Sequence, residues 1–170
     1  MENKHMQTNP NFFSEYFESL PVGYRFMPTD DEHILHYLMK KANNEKLPRN
    51  KINVVKLYDF NPEELADDYR LSGENEWFFF TPRSKKYKNA TRPNRAAGNG
   101  YWKASAADTV VTHNGVNVRS RKTGVCCDGK LPKCKESKTS WIMHEYKVNN
   151  PPPVQRSSAD NVKVNLSTYH

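Results

Sequence analysis

Four side chains able to hold a soft metal lie late in the chain: Cys126, Cys127, Cys134 and His144. Structural zinc sites pair their ligands at C-x2–4-C spacing and then add a second pair. Cys126 and Cys127 are instead adjacent, so on a strand they point to opposite faces. Cys134 and His144 have no partner at ligand spacing. Neither a metal nor any other cofactor is expected, and the thiols read as small, buried or half-buried apolar side chains. An odd count of three cysteines reads as free thiols in a reducing compartment. Catalytic patterns are missing too. There is no GxSxG, HExxH, P-loop or GxGxxG, and histidines 5, 33, 36, 113, 144 and 170 stand without an acid at a recognisable spacing. The sequence therefore predicts neither an enzyme nor a small-molecule substrate.

The residues that stand out are cations. The formal net charge is +7, but residues 1–76 hold 9 Lys/Arg against 14 Asp/Glu, and residues 77–170 hold 17 against 5. From Trp77 to Ala107 there are seven cations (Arg83, Lys85, Lys86, Lys88, Arg92, Arg95 and Lys103) and no acid. A solvated face usually mixes signs, so this run points to a polyanion partner. Tyr87, prolines and asparagines interleave the cations of the loop 83–100. Such residues limit the conformations lost on binding, and Arg and Lys in this setting suit nucleic-acid phosphates.

The run YWKASAAD at 101–108 follows that loop. As a strand it places Tyr101, Lys103, Ser105 and Ala107 on one face and Trp102, Ala104 and Ala106 on the other. It carries no Val, Ile or Leu and reads as too slim to anchor a core. Small side chains at Ala104, Ser105, Ala106 and Ala107 would let a strand approach base edges in a major groove, with Lys103 reaching a guanine acceptor or a phosphate. An edge strand guarded by a lysine is the competing reading.

The elements that must hold this run are legible in outline. Thr29 and Glu32 have capping-box spacing before an apolar stripe of Ile34, Leu35, Leu38 and Met39. In DFNPEELADDY, Asn61 caps, Pro62 takes the first helical position, Glu64 completes the box, and Phe60 and Leu65 are spaced as a staple. Strands follow: EWFFFTP, the run at 101–108, TVVTH and VNVRS around an Asn114-Gly115 type I′ turn, KTGVCC and SWIMHEYKV. Helices followed by about six strands imply an α+β fold with an antiparallel sheet. Residues 1–19 read as a lead-in and 149–170 as a polar tail or linker. No apolar run reaches membrane-spanning length, no secretory leader is visible, and no membrane partner is expected.

Taken in order, the blocks LPVGYRFMPTDDEHILHYL, INVVKLYDFNPEEL, EWFFFTPRSKKYKNATRPNRAAGNGYWKASAAD and KTSWIMHEYKV resemble the NAC domain of plant transcription factors over about residues 20–148. The resemblance implies a twisted antiparallel sheet packed between helices. It also implies a nuclear transcription regulator that binds double-stranded DNA at CGT-containing sites as a homodimer or as a heterodimer with related NAC proteins. The family's WKATG strand, which enters the major groove, corresponds to Trp102-Lys103-Ala104-Ser105-Ala106. Lys86, Arg92 and Arg95 match DNA-binding positions. With Arg83, Lys85, Tyr101, Arg121 and Lys122 they complete the expected contact set. Leu20, Pro21, Arg25 and Glu32 match the dimer segment, with Arg25 and Glu32 as an intersubunit ion pair. Glu32 thus has two readings, and the matching Arg25 favours the pair over the helix cap. Ala106 stands where the family has Gly, Thr109 where Lys is frequent, and Cys126-Cys127 where aromatics are usual. These departures leave open a dimerisation module that sequesters DNA-binding relatives. Single-stranded RNA binding through Tyr87, Tyr101 and Trp102 is a third possibility.

Overall fold

A computed structural model describes residues 16–69, 75–82, 96–129, 138–147 and, by its backbone, 164–169. Asp30–Glu32, His33–Leu38 and Met39–Ala42 run on as one helix, α1, over 30–42. Its middle segment is wound as a π-helix. The cap forms as the spacing predicts: the Thr29 N–H donates to Glu32 Oε2 at 2.8 Å. A single turn at Leu57–Asp59 leads to α2, Pro62–Asp68. Its box is also made, with the Asn61 N–H donating to Glu64 Oε2 at 2.8 Å.

The strands are β1 Ile52–Val54, β2 Trp77–Pro82, β3 Ala96–Ala97, β4 Gly100–Ala104, β5 Thr109–His113, β6 Val116–Cys127, β7 Lys138–Lys147 and β8 Val164–Tyr169. They form one sheet in the order β1-β2-β8-β7-β6-β4-β3, with β5 hairpinned onto β6. All pairs are antiparallel except β1 with β2. The α+β class holds, with eight strands among the described residues rather than about six. VNVRS and KTGVCC are one long strand, β6. Residues 164–169, read in sequence as tail, lie between β2 and β7. The β5–β6 turn has φ of 50° at Asn114 and 78° at Gly115, the positive pair that a type I′ turn requires.

Successive side chains of β2 pack on opposite faces. Phe80 joins Ile34 and Leu38 of α1, Val111 and Tyr146. Phe79 joins Val55, Leu57, Tyr58, Leu65, Ala97, Trp102, Cys126 and Met143 beneath α2. The sheet is therefore covered on both faces. Trp102 is 2% exposed and Tyr101 9%, which corrects the reading of 101–108 as a strand that cannot anchor a core. The anchor is the indole itself, since one large aromatic side chain buries about 150–250 Å². Cys126 and Cys127 do face apart, but only Cys126 is a free thiol. Burial pushes that thiol up to about 11. Cys127 is disulfide-bonded, contrary to the expectation of free thiols, and its partner lies outside the described residues.

Candidate nucleic-acid interface

Two anchors fix β4 from below. Its first half is packed into the core through Trp102 and is paired along β6, Trp102 with Cys126 and Ala104 with Gly124. The turn before it is seated on the cap of α2: Asn99 N–H donates to Asn61 Oδ1 at 3.1 Å. Gly98, at φ +53°, abuts the same side chain, so a Cβ there would collide with it. Beyond Trp102 the character changes. Every residue from Lys103 to Val110 is exposed. Ser105 prolongs the pairing through its N–H, which donates to Thr123 O at 3.0 Å, and its hydroxyl reaches the same oxygen at 3.4 Å. The result is a rigid stem carrying a slim, accessible edge.

The candidate cations differ in their availability. Arg121 Nη1 donates to Asp30 Oδ2 at 2.8 Å, and Lys122 Nζ lies 2.7 Å from Asp108 Oδ2. Both are partly neutralised. Lys103 has no acid within ion-pair distance among the described residues. On the Trp102 face, a hollow of about 40 Å³ opens over Gly124, lined by Ala104, Lys122, Met143 and Glu145. Glu145 is buried there, accepting from Tyr58 OH at 2.8 Å and paired with Lys147 at 2.9 Å. Arg83, Lys85, Lys86, Arg92 and Arg95 lie outside the described residues. Tyr101 and Trp102 are corrected: their rings are core groups and are not presented to a ligand, which also removes two of the three aromatics invoked for RNA stacking. Ala106 does not need glycine's freedom, because the only non-glycine residues with positive φ among those described are Asn44 and Asn114.

The dimer candidates converge elsewhere. Phe26 is buried against Tyr37 and Phe78, with ring centroids 5.5 and 5.3 Å away. Pinning it leaves Val22, Tyr24 and Met27 facing solvent. Leu20 is half-buried, and Pro21 and Arg25 are exposed. Arg25 and Glu32 line one groove of about 270 Å³, together with Met27, His36, Tyr37 and Pro48. Glu32 spends Oε2 on its cap.

Sequence reasoning missed the acids that organise these groups. Asp30 accepts from Arg121 and also from Tyr146 OH. Burial, then that carboxylate, pushes the Tyr146 phenol well above its usual range. Asp31 Oδ2 lies 2.7 Å from His113 Nδ1. Its carboxyl is held down to about 2 by the Thr29 hydroxyl and then by His113. Asp108 had one visible mark, as the first acid after the basic run.

Comparison with known proteins decides the family. The profile of the No apical meristem (NAM) protein family matches residues 21–148. The chain belongs to the NAC family. It is 51% identical over 130 residues to NAC domain-containing protein 2 of Oryza sativa subsp. japonica, covering 76% of this chain and 40% of that protein. Against Protein ATAF2 of Arabidopsis thaliana it is 47% identical over 148 residues, 87% of this chain and 50% of the other. NAC transcription factor 25 of Arabidopsis thaliana is 48% identical over 132 residues, 77% and 40%. This NAC chain thus spans half or less of the length of these relatives. No helix among its described residues is long and apolar enough to cross a membrane.

Proposed function

We propose that this NAC domain is the duplex-DNA-binding part of a nuclear transcription regulator, acting as a homodimer or NAC heterodimer on CGT-containing sites. The observation that carries the reading is Lys103. It is an exposed cation without an acid partner among the described residues, at the head of a slim exposed edge whose stem is locked by Trp102. Such an edge enters a major groove without steric cost, and a lysine there can reach guanine O6 or N7. Arg83, Lys85, Lys86, Arg92 and Arg95 supply phosphate contacts that add affinity without reading sequence. Family membership, and relatives named as transcription factors, support the assignment. The segment Leu20–Met27, with Arg25 and Glu32, supplies the dimer contact. Glu32 serves both of its roles, because Oε2 closes the cap and Oε1 is left for a partner's guanidinium.

A selection from random duplex DNA tests this. The wild-type chain is expected to return a defined preference. Lys103→Ala should lose ~1–3 kcal/mol of base discrimination, while Arg92→Ala weakens all sequences alike and lowers the salt slope by about one. The same selection answers a second reading, that of a sequestering partner, which the neutralised Arg121 and Lys122 favour. In that case the chain dimerises and selects no sequence.

A further inference from the structure

We propose that Ser105 is a phosphorylation site through which an acid-directed protein kinase releases this domain from DNA, an inference that rests on the DNA-binding reading above. Four neighbouring features single it out. The segment 105–108 lies between β4 and β5 and is exposed throughout. Ala104, Ala106 and Ala107 flank the serine with methyl groups alone, so nothing shields its hydroxyl from a narrow kinase cleft. The hydroxyl is also weakly held: its bond to Thr123 O is 3.4 Å long, and that oxygen already accepts the Ser105 N–H at 3.0 Å. Finally, Asp108 stands three residues later, a carboxylate that a cationic peptide cleft would bind. Its present tie to Lys122 is an exposed ion pair of 2.7 Å, which costs little to exchange.

Other described hydroxyls lack this combination. Ser19 donates to Tyr16 O at 2.7 Å and is followed at the third position by Val22. Ser120 and Ser140 are inside strands, with Thr123 and Met143 at that position. Thr29 has Glu32 three residues on, but its hydroxyl donates to Asp31 in the cap.

In the reaction Ser105 Oγ attacks the γ-phosphorus of a magnesium-bound nucleoside triphosphate. The new O–P bond forms as the bond to the bridging oxygen breaks. The nucleoside diphosphate leaves with that electron pair, and the hydroxyl proton passes to the kinase's base. The product carries roughly −1.5 to −2 charge. It stands two residues from Lys103 on the same exposed edge, offsets that cation, and repels the phosphates the edge would otherwise approach.

The test uses the full chain with an acid-directed Ser/Thr kinase and MgATP, peptide mapping by mass spectrometry, and duplex-DNA titration before and after phosphatase. Phosphate is expected on Ser105, less of it when duplex is bound. Affinity should fall by about tenfold or more and return with phosphatase. In Ser105→Ala, measured against its own untreated sample, the kinase-dependent loss should vanish. A map with Ser105 bare and phosphate elsewhere overturns the site. Phosphate on Ser105 with unchanged affinity overturns the switch. The map needs no DNA, so a chain that never binds duplex fails the proposed function while Ser105 is still decided by its peptide.

Discussion

His33 shows what one residue can impose. It is 3% exposed, packed between the rings of Phe78 and Tyr146, and neither ring nitrogen has a hydrogen-bond partner among the described residues. Burial pushes its pKa down to about 4, against an upward pull from Asp30 and Glu32. A depressed folded value means that the unfolded chain takes up the proton first. Stability is therefore full above about pH 6.5 and falls as the pH drops towards 4, by about 3 kcal/mol in all. His33→Leu should flatten that limb in urea unfolding at pH 7 and pH 4.5, and an equally steep loss in the variant would assign it to other groups. Trp102 teaches a related lesson. Its period placed it correctly opposite Lys103, but the run held so few aliphatic residues that the indole's own apolar area was undervalued.

Among the elements, the start of α1 is the junction. Asp30 ties it to β6 through Arg121 and to β7 through Tyr146, and Asp31 ties it to β5 through His113. Asp30→Asn leaves a half-buried guanidinium without its counter-charge, and unfolding experiments should register a loss of about 1–3 kcal/mol. A double-mutant cycle with Arg121→Gln should recover part of that loss as coupling; strict additivity would place the cost elsewhere. Both helices and the β5–β6 turn were legible because caps, prolines and an Asn-Gly pair act within a few residues. The ties of Asp30 and Asp31 were not, because they join positions about 80 to 120 residues apart and leave no local pattern. β1 was missed for a different reason: three residues are too short to show a period. The candidate site was proposed from chemistry, in Lys103 and Ser105, while the ion pairs of Arg121 and Lys122 needed the fold.

At the scale of the whole molecule, Phe26 fastens a segment whose other large apolar groups, Val22, Tyr24 and Met27, face solvent. Exposure of this kind is unusual away from an interface. Arg25→Glu should shift sedimentation towards a monomer while Thr29 still caps α1; a chain that stays dimeric would place the contact on another surface. A different consequence comes from β8. It pairs with β7 nearby but also with β2, Trp77 opposite Tyr169. During synthesis, β2 leaves the ribosome before that partner exists, and its edge towards β8 is unpaired until residues 164–169 emerge. Closing so long a loop is slow, and an unpaired edge invites wrong partners meanwhile. The nascent domain is therefore most open to mispairing before β8 has emerged.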